Sequence, residues 1–582
     1  MISLILFFIT GIAAVWLGFG NVISRGSMEN ICVSWVFYFL LISLALWIFA
    51  TIRAVFRCNE ASDESVVTAN CVTKIQSFWN NHKLAIGIAA VLTILGSFAC
   101  KPEFRILADE TNLLSLSQAL YEERECKNYT SVLYYYYGFK NIISYVIDKR
   151  PALHPFVVSI CHSLFGYRPE NIFIVNILSG FFSIFLIYYL ISMRFGRFWG
   201  IGGMVLLAAY PTFLMSANSG GFEVFNLLFS LILFWQLIRF VKKTTAIEAE
   251  ALLLVLPLLS QTRYESASAI VCVLPVVLCL LPWKEYKKFS YKLVIWPLLF
   301  LPPAWLRIMF NDEGSWQVDK SVGRVFGLDF LWINLKKSLP FFFGEDVAYG
   351  MIPAVTFLAI VGLVLTIIDL FFKKVKVNAK NTALFLSIIA FYIFHAAARF
   401  AYYWGYLTQR TTSRLGVIFM PLLVYYAIVF IYNLNTSFRI RRSYCMAAII
   451  ALLLIYWPVA GQNSGIRDLT LYREFRMVRE YLENYFPQKN EYILVADRAN
   501  MYTPLRYSSV NFKHFRSHTD QVLNNLRNRT YNYMIVIQTV DKSSGIPFQI
   551  CSVPEEIALE TLFEGQIRAD QYIRISKYKL NL

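Results

Sequence analysis

Runs of about twenty apolar residues, broken by short turns rich in Lys and Arg, recur from the first residues of this chain to about residue 461. A backbone inside a bilayer must satisfy its own hydrogen bonds, so runs of that length cross a membrane as helices. Spans are predicted near 3–20, 31–52, 84–100, 171–192, 199–217, 223–240, 247–262, 266–282, 293–310, 351–372, 382–400, 415–433 and 444–461, about thirteen in all. Pro257, Arg263 and Glu265 interrupt the pair at 247–282, which leaves two short helices or one broken helix open. The opening run, Met1 to Gly20, has no basic stretch ahead of it and reads as a retained span. Composition agrees: 57% of the 582 residues are hydrophobic and only 16% charged, where soluble domains carry about a quarter charged residues. Disorder and a secreted disulfide scaffold are excluded on the same grounds. The ten cysteines are scattered, with no CxxC and no Cys/His cluster at metal spacing.

The formal charge is +17, from 54 basic against 37 acidic residues. It sits between the apolar runs, which is a topology signal and not a nucleic-acid face; no nucleic-acid partner is expected. Arg194 and Arg197 flank one turn, Arg239, Lys242 and Lys243 another, and Lys284, Lys287, Lys288 and Lys292 a third. Lys373, Lys374, Lys376 and Lys380 fill a fourth, and Arg439, Arg441 and Arg442 a fifth. All fall on one side of the predicted spans, so that side is cytoplasmic. The N-terminus is then inside, and the 101–170 loop, the 311–350 loop and the tail lie outside.

From Gln462 to Leu582 the composition turns polar. Helices are predicted at 472–485 and 519–527, with buried strands at Tyr492–Ala496, Tyr533–Val540 and near 571–577. That alternation predicts a small extracytoplasmic α/β domain without a GxGxxG or P-loop.

Candidate chemistry lies in the first outside loop and at several span ends. Asp109 and Glu110 follow the 84–100 span closely, where partial shielding from water can sharpen a base. The structural alternative is a helix cap, with Asp109 or Thr111 preceding a helix at 112–121 and Glu110 favouring its dipole. Arg150-Pro151-Ala152-Leu153-His154-Pro155 precedes an amphipathic stretch at 156–165. Its prolines fix the backbone while Arg150 and His154 stand at the membrane face, either on lipid headgroups or on a bound phosphate. Arg263 and Glu265, Glu223, and the group Arg399, Arg410 and Arg414 lie close to membrane depth, where charges pair or face a cavity. Glu223 alternatively caps its helix, and Tyr402, Tyr403 and Trp404 form an interfacial belt or a sugar-stacking face. The acidic pairs Asp312-Glu313 and Glu345-Asp346 read as surface turns, with ligation of a divalent ion as the alternative; no metal is required and none is indicated.

The order of these features resembles a family. A span, an Asp-Glu pair, a tyrosine-rich loop, an R/K-P-x-L motif and then NIFIVNILSGFFSIFLIYYLISMRFGRFWGIGGMVLLAAYPTFLMSAN look like the GT-C membrane glycosyltransferases of the protein O-mannosyltransferase and lipid A aminoarabinose transferase type. The similarity is clearest over residues 101–283. It continues in SRLGVIFMPLLVYYAIV, which is similar to the family's R-Y-x-x-x-x-P span, with Arg414 in the Arg place and Leu415 departing from the tyrosine. The resemblance implies additional helices at 1–83, a GT-C-like catalytic module at 84–461, and an outside domain at 462–582. It implies inverting transfer from a polyprenyl-phosphate sugar, such as one on undecaprenyl phosphate, to an extracytoplasmic lipid, glycan or protein acceptor. Asp109 would be the general base, with Glu110 its partner, and Arg150 would contact the donor phosphate. His154, Arg263, Arg410 and Arg414 are the further phosphate candidates, and Glu223 and Tyr402 the substrate candidates. A bacterial inner membrane, as part of cell-envelope synthesis, is the setting implied. A transporter or flippase and a non-catalytic assembly protein are the competing readings, but no matching halves are present in the sequence.

Overall fold

The computed structural model describes residues 2–20, 22–56, 64–135, 140–289, 291–310, 323–344, 348–371, 379–461 and 469–578. Asp312-Glu313, Glu345-Asp346 and Lys373, Lys374 and Lys376 lie outside the described residues. The chain forms two compact units.

The first comprises Met1–Glu103, Lys149–His154 and Phe173–Ile466. Among the described residues, seven helices are long and apolar enough to cross a membrane: Val36–Phe56, Thr73–Ala99, Asn171–Phe195, Glu223–Lys243, Ala379–Phe400, Arg410–Ser437 and Arg442–Ala460. An eighth is present if Arg197–Ala209 and Pro211–Ala217, bent by 76° at the Tyr210-Pro211 step, count as one span. This is an α-helical polytopic membrane unit, and the expected count of about thirteen is not confirmed among the described residues. Hydropathy counts apolar residues, whereas a straight helix also needs an unbroken hydrogen-bond ladder, and proline breaks it. The 293–310 run splits into two 3₁₀ turns, Tyr291–Val294 and Trp296–Phe300, and the helix Leu301–Met309. The 247–282 region resolves into two short helices, Ala246–Ser260 and Ala269–Leu280, joined by a turn and the 3₁₀ segment Glu265–Ser268. The runs at 3–20 and 351–372 are the helices Ile2–Phe19 and Pro353–Phe371.

Helix Pro353–Phe371 packs on Met420–Ser437, and the approach is close: a Cβ at Gly362 would collide with the Tyr426 carbonyl. Helix Val36–Phe56 packs on Ala246–Ser260. At the start of the latter helix the buried Glu248 accepts from Arg239 at 2.7 Å and Lys243 at 2.8 Å, so basic residues read as a topology signal also hold helix ends together.

The second unit comprises Phe104–Asp148, Pro155–Ile172 and Arg467–Leu582. It cuts the chain differently from boundaries at 83/84 and 461/462, because most of the first long loop belongs with the tail. The cause is a seven-stranded mixed sheet. Its strands are β1 (Asn128–Tyr134), β2 (Lys140–Val146), β3 (Tyr492–Ala496), β4 (Ser509–Val510), β5 (Tyr533–Asp541), β6 (Glu560–Gln566) and β7 (Gln571–Tyr578), in the order β2-β1-β4-β3-β5-β7-β6. The predicted strands at 492–496, 533–540 and 571–577 are the central β3 and β5 and their neighbour β7. β3 and β5 run parallel, which buries both faces and explains their continuous apolar runs. The β1–β2 hairpin joins the tail strands through β4, with Val132 opposite Ser509. Helices Leu469–Tyr485 and Thr519–Arg527 match the expected tail helices.

Helix Leu107–Glu122 is pinned to this sheet by a charge network. Glu122 pairs with Lys140 at 2.5 Å and Arg506 at 2.8 Å, and Glu123 accepts from the Tyr129 hydroxyl at 2.7 Å. Burial pushes the Glu123 carboxyl up, but its hydrogen bonds from Lys140 and Tyr129 outweigh that and hold it below the usual range.

Candidate functional site

Within the helical unit, four stretches of chain bring charged side chains to one pocket. It is lined by Glu223, Asn226, Arg263, Glu265, His395, Arg399, Arg414, Leu415, Ile418 and Phe419. Glu223 opens helix Glu223–Lys243, where the helix dipole favours a carboxylate. Its position depends on Gly221, because a Cβ there would collide with the Glu223 carboxylate.

The turn after helix Ala246–Ser260 delivers Arg263 and Glu265. Arg263 Nη1 donates to Glu223 Oε1 at 3.4 Å, while Nη2 and Nε reach the two Glu265 oxygens at 3.2 and 3.3 Å. The guanidinium also lies 4.9 Å over the Phe222 ring. Arg414 Nε stands 3.3 Å from the same Glu223 Oε1. Arg399, on helix Ala379–Phe400, donates from Nη2 to the Trp404 carbonyl at 3.0 Å, and its buried Nε makes no hydrogen bond among the described residues. Among the described residues, the pocket lining holds three arginines and two glutamates, one positive charge in excess. Buried charges are stable when paired or when a ligand supplies the partner.

A polar relay underlies the charges. Asn226 Oδ1 accepts from Thr262 and Ser266, each at 2.6 Å, and Ser266 Oγ lies 3.5 Å from His395 Nε2.

Of the residues singled out from the sequence, Glu223, Arg263 and Arg414 meet here, with Glu265 and Arg399. Arg150 and His154 do not line the pocket. Their turn is tied to the turn carrying Arg263 by the Leu153 amide, which donates to the Gln261 carbonyl at 3.1 Å. His154 is buried, with Nε2 3.1 Å from Asn176 Oδ1 and its ring against Phe225. Asn176 in turn donates to the Ser219 and Gly221 carbonyls, so His154 braces the turn that carries Glu223. Arg410 lies over the Tyr349 ring at 5.8 Å, and Tyr402 lies over Arg399 at 5.7 Å. His395 and Asn226 were not singled out. An ionisable residue one turn from Arg399 inside an apolar span is the signal that marks His395.

Asp109 and Glu110 belong to the sheet-bearing unit. Their helix begins at Leu107, not Asn112, so both lie in its first turn, and neither Asp109 nor Thr111 is the cap residue. Glu110 is fully buried and reaches back to the amides of Arg105 at 2.9 Å and Ile106 at 3.1 Å. Both of its oxygens therefore serve orphan donors at the helix start. Asp109 is half-buried, on the same turn.

The helical unit and the mixed-sheet unit belong to a chain with the GT-C membrane fold, as its likeness to a solved structure shows. Residues 149–305, somewhat over a quarter of the chain, match the family described as dolichyl-phosphate-mannose-protein mannosyltransferase. Among solved structures, ArnT from Cupriavidus metallidurans bound to undecaprenyl phosphate is similar over 85% of this chain and 98% of its own, at 11% identity and a TM-score of 0.50. Its apo state covers 86% and 98%, at 10% identity and a TM-score of 0.49. An Archaeoglobus fulgidus oligosaccharyltransferase covers 77% and 67%, at 12% identity and a TM-score of 0.43. The assignment of fold rests on the first of these. No curated protein sequence matches the chain.

Proposed function

We propose that this chain is an inverting membrane glycosyltransferase that moves a sugar from a polyprenyl-phosphate donor to an acceptor outside the membrane. The observation that carries the reading is the surplus positive charge of the Glu223–Arg263–Arg414 pocket, which suits one phosphodiester anion. The similar ArnT structure is bound to undecaprenyl phosphate, which supports a lipid-phosphate donor here. Arg263, Arg399 and Arg414 hold the phosphate, with Arg150 approaching from the proline-fixed turn. Asp109 accepts the proton of the acceptor nucleophile, and Glu110 fixes the helix turn that presents it.

Displacement at the anomeric carbon needs a base on the acceptor side and stabilised charge on the leaving phosphate. An oriented electrostatic stabiliser of this kind is worth about 3–4 kcal/mol in a transition state. A lipid donor is concentrated and aligned by the bilayer, so the reaction needs no nucleotide-binding fold. Mass spectrometry of lipid co-purified with the chain is expected to find a polyprenyl phosphate or its glycosylated form. Only bulk phospholipid in repeated preparations would remove the donor from this reading. A flippase would bind the same lipid yet leave the sugar–phosphate bond intact, so release of free polyprenyl phosphate in the presence of acceptor separates the two.

We place the protein in a bacterial inner membrane with the N-terminus inside. The pocket stretches at 222–226, 261–266, 395–399 and 414–419 all stand at span ends that the basic-loop count assigns to the outside. A single cysteine introduced within 373–380 is expected to resist an impermeant thiol reagent applied to intact cells, whereas one at the exposed Ser517 reacts readily. Equal labelling of both overturns the orientation.

A further inference from the structure

His395 is the one titratable group of the pocket that the scheme above leaves without a task. It is buried on helix Ala379–Phe400, one turn before Arg399, and its ring packs against Phe391. Ser266 Oγ, 3.5 Å from Nε2, already donates its proton to Asn226 Oδ1 at 2.6 Å, so it offers His395 only lone pairs. That sets the neutral tautomer: Nε2 carries the hydrogen toward Ser266. Nδ1 is then a bare acceptor, buried and without a hydrogen-bond partner among the described residues. The charged groups sharing its surroundings are Glu265 and Arg263 from the turn, Glu223 from helix Glu223–Lys243, Arg414 from the next segment and Arg399 from its own helix. Helices Ala269–Leu280 and Leu328–Phe343 also pack on the His395 helix; the first carries Cys272 and Cys279, and the second Asp329, Lys336 and Lys337, all three exposed.

Charge counting assigns the task. With His395 neutral, the pocket carries one net positive charge and balances a phosphodiester donor. In the transfer, the bond from the sugar's anomeric carbon to the phosphate oxygen breaks and its electron pair leaves with the phosphate. A new bond forms between that carbon and the acceptor heteroatom, whose proton passes to the base. The lipid phosphate becomes a monoester, which carries about one further negative charge near pH 7. We propose that His395 takes up a proton from water at Nδ1 as the phosphodiester becomes a monoester, so that the pocket's charge rises with that of its ligand. This rests on the phosphate reading of the pocket. Product release is then coupled to loss of that proton.

The test uses the full chain in nanodiscs with two probes, undecaprenyl phosphate and its monomethyl ester, which is a phosphodiester of fixed single charge. Binding of each is measured from pH 6.5 to 8.5 for wild type, His395→Gln and Ser266→Ala, alongside melting temperature. For wild type, affinity for the monoester falls as pH rises while that for the methyl ester stays flat. His395→Gln is expected to lose about tenfold in affinity for the monoester at pH 7, the scale of a charge-assisted hydrogen bond, and to keep its affinity for the methyl ester. Ser266→Ala loses less, in the same direction, because only the tautomer preference is removed. If His395→Gln weakens both probes equally, or neither, the proton is not held at His395 while the phosphate site itself stands. If wild type binds neither probe, the phosphate reading fails and this inference falls with it.

Discussion

Asp109→Asn is expected to lower transfer by about 10²–10⁴-fold while leaving affinity for polyprenyl phosphate unchanged, because a general base contributes that much to proton removal in the transition state. Its neighbour provides the control. Glu110 spends both oxygens on the amides of Arg105 and Ile106, so Glu110→Gln leaves one of these buried donors poorly paired and lowers stability by about 1–3 kcal/mol. The two adjacent carboxylates should thus separate cleanly: Asn at 109 produces a folded, donor-binding, inactive protein, and Gln at 110 a protein that melts earlier. Turnover of Asp109→Asn at the wild-type rate, assayed with donor and acceptor at saturation, would remove the base from the mechanism. An Asp109→Asn variant that melts early and fails to bind lipid would make this residue structural as well.

Arg263→Ala is expected to be the most damaging change in the pocket. It strips Glu265 of its arginine partner and leaves Glu223 with Arg414 alone. Breaking a buried ion pair from one side costs about 3–5 kcal/mol, chiefly because a carboxylate is left uncompensated away from water. Donor affinity should fall as well, since the surplus positive charge disappears. Arg263→Lys restores part of the stability but not the forked contact to Glu265. The double variant Arg263→Ala with Glu265→Gln removes the orphaned charge, so it should melt higher than Arg263→Ala. It should still bind undecaprenyl phosphate poorly if Arg263 holds the ligand. A double variant that regains both stability and wild-type lipid affinity would show the arginine to be structural only.

Much of this organisation is visible in local sequence. Long apolar runs with basic turns define a polytopic membrane protein, and the tail's YILVA and YMIVIQTV segments declare buried strands through their unbroken apolar character. The ordered motifs from Asp109 to Arg414 point to the GT-C fold, which the similarity to ArnT bears out. Less visible were β1, β2 and β6, whose segments mix polar residues into the strand. KNIISYV and ETLFEGQ leave much of each strand exposed, and partial burial leaves a weak hydropathy signal, while NYTSVLY is buried but mixes Asn, Thr and Ser into its run.

Hydropathy and charge are local quantities, so the sequence by itself determined the class of protein and the positions of its apolar runs and basic turns. Whether a run is straight was decided by the folded backbone: the prolines around residues 297–303 divide one expected span, and the Tyr210-Pro211 step bends another by 76°. Tertiary structure also decided that a hairpin from residues 128–146 completes the tail's sheet, because strand pairing depends on which edge remains open once β3, β4 and β5 have formed. It assembled the pocket as well. Glu223, Arg263, His395 and Arg414 come from four separate stretches of chain, and each reads alone as a costly charge near the membrane. Only packing of the helices offsets those costs, by setting Arg263 between two carboxylates.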